Sequence, residues 1–278
     1  MQYKLLVGLV CAVLVSGCGG GGDSSSAVTS ASAEGLWIGT MDDPVFLDDK
    51  AITALVLDDG SYWVWHANFY DEGLIRGTGT SQSGSFTSSS GRSFSTKWGG
   101  GSTVYTLSAS HIEKESLSGT FRDVLSGTQR MFTASYDPAY ELTPSLGAIA
   151  GTYSGTAAIS IGEYYAATDY LYRWEPQTFT ISDSGAISGT TGGCVFSGSV
   201  TPRASGNAYN VAVSKYGIDC DHTALTDTLN GVAYFDAATS TLRLAAVYLP
   251  RIVAFVCVGT KHQVAQTSEQ GAPAEGSP

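Results

Sequence analysis

Short runs in which hydrophobic and polar residues alternate, separated by glycine-rich turns, make up most of this chain. Tyr209, Val211 and Val213 alternate with Ala208, Asn210 and Ala212, as in a strand with one buried face. Turns such as Ser182–Gly185 separate neighbouring runs. The pattern predicts strands near residues 35–40, 51–57, 61–67, 74–80, 93–98, 103–110, 116–121 and 128–136, then near 150–158, 176–182, 185–191, 195–202, 207–214, 229–236, 241–248 and 252–260.

Two stretches of the same design, residues 35–40 (GLWIGT) and 151–156 (GTYSGT), begin these two sets of strands. In each stretch glycines flank one aromatic residue, which suits the first strand of a small barrel where chains cross closely and one ring closes an end. The fold class predicted is all-β, with two tandem up-and-down antiparallel barrels of about eight strands. The predicted parts are a first barrel (35–137), a hinge with one helical turn (138–149), a second barrel (150–261) and a disordered tail (262–278).

Composition and charge favour a β-protein that avoids phosphates. The 278 residues include 34 Gly and 15 Tyr with only 14% charged residues, which indicates many turns and strands. The formal net charge is -11, and the sequence contains no cluster of Lys and Arg. Nucleic acid is therefore excluded as a partner, and anionic lipid headgroups are poor partners.

No motif for catalysis or cofactor binding is present. The chain has no nucleophile elbow, zinc-protease motif, phosphate-binding loop or dinucleotide fingerprint, and no two of its 4 His fall at metal-ligand spacing. Two acidic segments are weak metal candidates: Asp42–Asp43 with Asp48–Asp49 for calcium, and Asp219–His222. Because acidic loops are mostly solvated, we predict no metal, no cofactor and no enzymatic activity.

The third predicted strand is aromatic on both of its faces. Alternation places Trp63 and Trp65 on one face and Tyr62, Val64 and His66 on the other. Either the tryptophans are an exposed ladder that binds a ligand, or they are covered by the second domain or by the loop at residues 69–70. We favour the covered arrangement and keep the pair as candidate ligand-binding residues.

An aromatic insertion interrupts the regular spacing of the second module between residues 162 and 174. Aromatic residues with a polar tip are enriched in recognition surfaces because they offer large contact area at low entropy cost. The alternative is that the insertion folds over the barrel mouth and plugs it. The candidate ligand-binding residues here are Tyr164, Tyr165, Tyr170, Tyr172 and Trp174.

Three cysteines belong to the second module: Cys194, Cys220 and Cys257. Cys194 begins the fourth predicted strand and Cys220 follows the fifth, so adjacent strands bring these two together and we predict a disulfide between them. Such a bridge stabilises by about 3 to 4 kcal/mol on the chain-entropy model. Cys257 is then a buried free thiol in the last strand.

The N-terminus has the pattern of a sorting signal. Lys4 precedes an apolar run from Leu5 to Val15, which is too short to span a bilayer because spanning needs about 20 residues. Residues 15–18 (VSGC) resemble the bacterial lipobox, which implies a signal peptide at 1–17 and a Cys18 acylated with palmitate-type chains. Ordinary secretion is the alternative, but it leaves Cys18 unexplained. Residues 18–34 then form a lipidated Gly/Ser-rich tether with a reach of about 20 to 25 Å.

The chain also resembles known lipoproteins. Residues 151–156, 193–198, 202–206 and 258–261 are similar to a set of Gram-negative tandem β-barrel lipoproteins with no established activity. More distantly, the layout resembles surface lipoproteins of the transferrin-binding protein B and factor-H-binding type. The resemblance implies no site residue. Because Gly19 does not match the aspartate that often retains lipoproteins at the inner membrane, we predict attachment to the cell outer membrane. The sequence does not decide between the periplasmic side and the cell surface.

Two functions are compatible with these features. The first is a non-catalytic binding module for a protein or a small apolar ligand, held at the membrane by its lipid. The second is a structural or assembly protein of the envelope, whose barrels are filled and bind nothing. The barrel interiors discriminate between them, since small inward side chains leave a cavity and large ones fill it.

Overall fold

The computed structural model describes residues 32–42, 49–66, 73–95, 102–161, 175–191, 194–216 and 228–262. These residues form two antiparallel barrels in tandem, which confirms the predicted fold class. None of the described helices has the length and hydropathy needed to cross a membrane. The strands are β1 (Gly35–Met41), β2 (Lys50–Val56), β3 (Ser61–His66), β4 (Gly73–Thr78), β5 (Thr80–Gln82), β6 (Ser85–Ser95), β7 (Ser102–Ile112), β8 (Ser116–Asp123), β9 (Gln129–Tyr136), β10 (Gly151–Ile161), β11 (Glu175–Ile181), β12 (Ala186–Thr191), β13 (Cys194–Pro202), β14 (Tyr209–Tyr216), β15 (Leu229–Asp236), β16 (Thr241–Tyr248) and β17 (Val253–Lys261).

In the first barrel β1 to β4 pair in sequence, as do β5 to β9, and pairing of β1 with β9 and of β4 with β6 closes the ring. The short strand β5 follows β4 after Gly79 and pairs with residues 85–87 at the start of β6. The prediction of a strand at 93–98 was wrong in its bounds, because β6 runs from Ser85 to Ser95 with a register shift between Ser88 and Gly91. The sequence conceals this strand because its serine-rich first half has almost no apolar residue to mark the alternation.

The second barrel is a closed ring of β10 to β17, each strand again antiparallel to the next. The hinge before it contains a 3-10 helix, Pro138–Glu141, and one turn of α-helix, Leu146–Ile149. The side chain of Ser145 caps this turn by accepting a hydrogen bond from the backbone N–H of Ala148. The predicted helical turn in the hinge is therefore present.

The repeated glycine–aromatic stretch closes one end of each barrel in the same way. Trp37 and Tyr153 are both fully buried. The indole N–H of Trp37 donates to the carbonyl of Ala33 (3.0 Å), and the hydroxyl of Tyr153 donates to the carbonyl of Ile149 (2.5 Å). In both barrels the aromatic residue thus binds the carbonyl four residues before it and fixes the incoming chain across the barrel end.

Large side chains fill the interior of the first barrel. Phe121 lies 5.1 Å from Phe132 and 6.3 Å from Tyr62 between ring centres. A cavity among these side chains has a volume of about 10 Å³, which is enough for about one water molecule. This cavity therefore has no space for an organic ligand.

The interior of the second barrel is also built from stacked rings. Tyr153 stacks on Phe179 with ring centres 4.8 Å apart, and Phe196 lies 5.0 Å from Phe255. The residues around them are fully or almost fully buried, as in an ordinary protein core. Of the two barrel types considered from the sequence, the filled one is found in the described residues.

One polar side chain inside each barrel has ring or amide atoms without a partner. His111 in β7 is buried, neither of its ring nitrogens has a hydrogen-bond partner, and burial lowers its pKa despite the nearby Glu113. In the second barrel Gln177 donates to the sulfur of Cys257 (2.7 Å), while its own Oε1 has no partner. Each orphaned buried group costs about 1 to 3 kcal/mol, so both barrels carry a local cost in stability.

Cys257 is a buried free thiol, as predicted, and its burial raises its pKa. It belongs to the core of the second barrel and behaves as a small apolar residue. Cys220 lies outside the described residues, so the disulfide between Cys194 and Cys220 stays a prediction.

Candidate functional site

Trp63 and Trp65 lie on the outer face of β3, and both are buried, with 4% and 5% of their surface exposed. They belong to a cluster of buried side chains that come from the outer faces of both barrels. From the first barrel and the hinge these are Leu36, Leu55, Leu57, Trp63, Trp65, Leu74, Phe94 and Tyr140, and from the second barrel Ala208, Val232, Tyr234, Ala245, Val247, Ala254 and Val256.

This cluster corrects the interpretation of Trp63 and Trp65 as an exposed ligand-binding ladder. The apolar outer face of β15 to β17, with Ala208, covers them, and this contact removes both apolar faces from water. The covered arrangement that we favoured from the sequence is the one found. The tryptophans therefore bind the second barrel and leave no ring face for a ligand.

Three polar groups are buried at the interface between the barrels without a hydrogen-bond partner. The indole N–H groups of Trp63 and Trp65 have no hydrogen-bond partner, nor does Nε of Arg76. The guanidinium of Arg76 lies over the Trp63 ring, 5.5 Å from its centre, where a cation–π contact offsets part of that cost. The apolar area of the rings thus holds the interface together against these unpaired donors.

Polar contacts at the edge of the interface connect one turn of each barrel. Arg203, in the β13–β14 turn, donates to Asp58 in the β2–β3 turn at 2.5 Å, and its Nη2 lies 3.6 Å from Oδ2 of Asp59. Only 15% of the Arg203 side chain is exposed, but 48% of the Asp58 side chain and 56% of the Asp59 side chain are, so solvent screens these pairs and their contribution to stability is small. The contact joins one turn of each barrel at the edge of their interface.

The residue before β1 is held between the hinge and the second barrel. The carboxylate of Glu34 accepts a hydrogen bond from the hydroxyl of Tyr140 (3.0 Å) and a short one from the hydroxyl of Ser205. Burial and the adjacent Glu34 raise the pKa of Tyr140, which stays a neutral donor. The backbone N–H of Asn207 donates to the carbonyl of Tyr140 (2.8 Å). The start of the first barrel, the hinge and the second barrel therefore form one connected body.

The aromatic insertion with Tyr164, Tyr165, Tyr170, Tyr172 and Trp174 lies outside the described residues. It connects Ile161, at the end of β10, to Glu175, at the start of β11. Because the strands alternate in direction, this end of the second barrel is opposite the end that carries Arg203 and the hinge. The binding role of these five aromatics stays a prediction.

The described residues contain no group of His, Cys, Asp or Glu that could hold a metal ion. Asp42 is described, and its Oδ1 accepts a hydrogen bond from the backbone N–H of Met131 (2.5 Å). Residues 43–48, including Asp43 and Asp48, and residues 219–222 lie outside the described ranges. The two acidic segments therefore gain no support as metal sites.

No protein-family model matches this chain, and neither does any curated protein. Among solved structures, transferrin-binding protein B of Haemophilus parasuis is 9% identical over 77% of this chain and 66% of that chain, with a TM-score of 0.29. A "putative outer membrane protein" of Bacteroides fragilis is 15% identical over 82% of this chain and 97% of that chain, with a TM-score of 0.27. This chain thus spans just under two thirds of the transferrin-binding chain. The distant resemblance predicted from the sequence is confirmed as a likeness of fold, and it carries no argument about function.

Proposed function

We propose that this protein is a lipid-anchored, non-catalytic binding module of the cell outer membrane, which recognises a protein or a small apolar ligand through the aromatic insertion at residues 162–174. The observation that carries the proposal is the use of the other aromatic surfaces for packing. Rings fill both barrels, and the second barrel covers Trp63 and Trp65. The insertion places five further aromatic residues between positions 164 and 174 of the sequence.

A structural or assembly role in the envelope is the second candidate. The filled interiors favour it, because large buried side chains pack inside both barrels and the cavity among those of the first barrel has the size of one water. In that case the insertion closes the mouth of the second barrel and its rings belong to the core. The two candidates differ in what the insertion contributes to stability.

The stability of a loop variant separates these candidates. If the insertion binds a partner, the triple variant Tyr165→Ser, Tyr170→Ser and Tyr172→Ser should unfold within about 1 kcal/mol of the wild type, because few core contacts are lost. A plug would instead lose several kcal/mol, as truncated buried aromatics do. Thermal and denaturant unfolding measure the difference, and a large loss would refute the binding role.

Membrane attachment through Cys18 is tested by Cys18→Ala. The variant cannot be acylated, so an alkaline carbonate wash should release the chain from the membranes of lysed cells, because no inserted acyl chain holds it there. Fractionation followed by immunoblotting measures this, with Cys11→Ala as a matched control that keeps Cys18. A Cys18→Ala chain that resists this wash with its signal removed would contradict the lipid anchor.

A further inference from the structure

Exposed hydrophobic side chains concentrate on one side of the first barrel. Among the described residues, eight large hydrophobic side chains are exposed, and six of them lie on or beside the outward face of β7, β8, β9 and β1. These six are Ile38, Val104, Ile112, Val124, Leu125 and Met131, and the other two are Leu142 and Leu249. We call the outward side of these four strands the β7–β1 face. Its β1 edge borders the interface between the barrels, because Leu36 on the outward side of β1 belongs to the same buried cluster as Trp63 and Trp65.

Hydroxyl groups occupy most of the remaining positions on the β7–β1 face. Pairing across the sheet places them in rows, one of which contains Ser110, Ser118, Thr133 and Thr40. Arg122 is the one charged side chain that these four strands direct outward in the described residues. A chain of net charge -11 therefore has one face that is almost free of charge.

Charged groups border this face at its two ends. The β7–β8 turn contributes Glu113, Lys114 and Glu115, and Lys114 forms an ion pair with Glu141 (2.8 Å). Asp42, Asp123 and Arg130 lie at the opposite end. Burial alone would raise the pKa of Asp123, but hydrogen bonds from Ser126 and Leu125 and the positive charge of Arg130 lower it overall. The face between these borders is apolar and hydroxylic.

A rigid turn projects the most exposed of these side chains. Oδ1 of Asp123 accepts hydrogen bonds from the backbone N–H groups of Leu125 (2.7 Å) and Ser126 (2.9 Å). The backbone N–H of Gly127 donates to the carbonyl of Asp123 (2.9 Å). Leu125 is held at 94% exposure and Val124 at 59%. The turn is thus fixed without burying either side chain, as expected of a pre-organised contact.

We propose that the β7–β1 face lies on the surface of the phospholipid bilayer, with Leu125 and Met131 entering the interfacial region. The lack of charge allows this face to approach headgroups that repel the rest of the acidic chain. The tether joins the barrel at β1, a strand of this same face, and its reach of about 20 to 25 Å keeps the bilayer close. A weak contact suffices at the high effective concentration that such a tether provides. This proposal rests on the lipid anchor proposed above, which holds the protein near the bilayer.

Vesicle binding tests this contact without the lipid. The mature chain, residues 18–278, carries Cys18→Ser so that no acyl chain contributes, and it is sedimented with phosphatidylcholine or phosphatidylglycerol vesicles. We expect binding to phosphatidylcholine that is at least as strong as to phosphatidylglycerol and that persists at high salt, since apolar contact is not screened. The double variant Leu125→Ser and Met131→Ser should lower the partition coefficient at least about tenfold. Failure of the anchor at Cys18 would leave these results unchanged.

The matched control makes the same chemical change elsewhere. Leu142→Ser with Leu249→Ser replaces two exposed leucines outside the face, at 54% and 43% exposure, and should keep wild-type binding. Absence of vesicle binding, or binding only to phosphatidylglycerol that salt abolishes, would overturn the proposal. Sedimentation velocity without vesicles tests whether a second copy of the chain, instead of the bilayer, covers the β7–β1 face. A dimer that the Leu125 and Met131 substitutions dissociate would overturn the membrane contact as well.

Discussion

Replacing Gly155 by alanine is expected to destabilise the second barrel by about 3 kcal/mol or more, or to prevent its closure. A methyl group on Gly155 would overlap the carbonyl oxygen of Val258 and lie 2.5 Å from the Cα of Gly259. Both atoms are backbone atoms of β17, which pairs with β10 at this point, so they cannot move without breaking the ladder that closes the ring. Gly39→Ala should act similarly in the first barrel, against Thr133 and Ala134 of β9.

The matched control is Gly147→Ala in the hinge helix. A methyl group there meets nothing within 4 Å, so this variant should be neutral or gain up to about 1 kcal/mol from helix propensity. Denaturant unfolding followed by circular dichroism measures all three variants. A Gly155→Ala protein as stable as Gly147→Ala would show that β10 and β17 do not approach as closely as described.

Truncating the tryptophans between the barrels is expected to have the second large effect. Trp63→Ala and Trp65→Ala should each lower the free energy of unfolding by about 3 to 5 kcal/mol, as for other buried aromatic side chains. The double variant should also loosen the barrels, since the rings supply much of the apolar area of their interface. Small-angle scattering should then show a larger radius of gyration than that of the wild type.

Trp63→Phe and Trp65→Phe are the controls for this prediction. Each keeps a large ring and removes an indole N–H that has no partner, so the lost packing is offset by removal of an orphaned donor. We expect a change below about 1.5 kcal/mol and an unchanged radius of gyration. Alanine variants with wild-type stability and scattering would contradict the buried interface.

The architecture could be predicted because short sequence patterns, namely the glycine–aromatic repeat and the alternation of apolar and polar residues, mark most of the strands. The repeat of GLWIGT and GTYSGT predicted both first strands, and the structure confirms that Trp37 and Tyr153 close the barrel ends. Alternation predicted all eight strands of the second barrel to within a few residues. It failed at β6, where serines replace the apolar residues that would mark an inward face.

Contacts between distant segments could not be predicted. The ion pair of Arg203 with Asp58 and the binding of Glu34 by Ser205 join residues far apart in the chain, and no local pattern marks either of them. The aromatic density around Trp63 indicated a surface that must be covered, yet it left open whether the second domain or the loop at residues 69–70 covers it. The apolar positions of the β7–β1 face are single residues among hydroxyls, so only the folded sheet brings them together.

Capture from the cell envelope tests the proposed function most directly. The mature chain with Cys18→Ser, immobilised on beads, is incubated with detergent-solubilised envelope extract beside two variants: Tyr165→Ser with Tyr170→Ser and Tyr172→Ser, and Trp63→Phe with Trp65→Phe. We predict that the wild type and the Trp63 and Trp65 variant retain the same component, whereas the tyrosine variant loses it with a nearly unchanged thermal midpoint. Equal capture by all three, or a tyrosine variant that keeps the component while losing several kcal/mol of stability, would contradict recognition through the aromatic insertion.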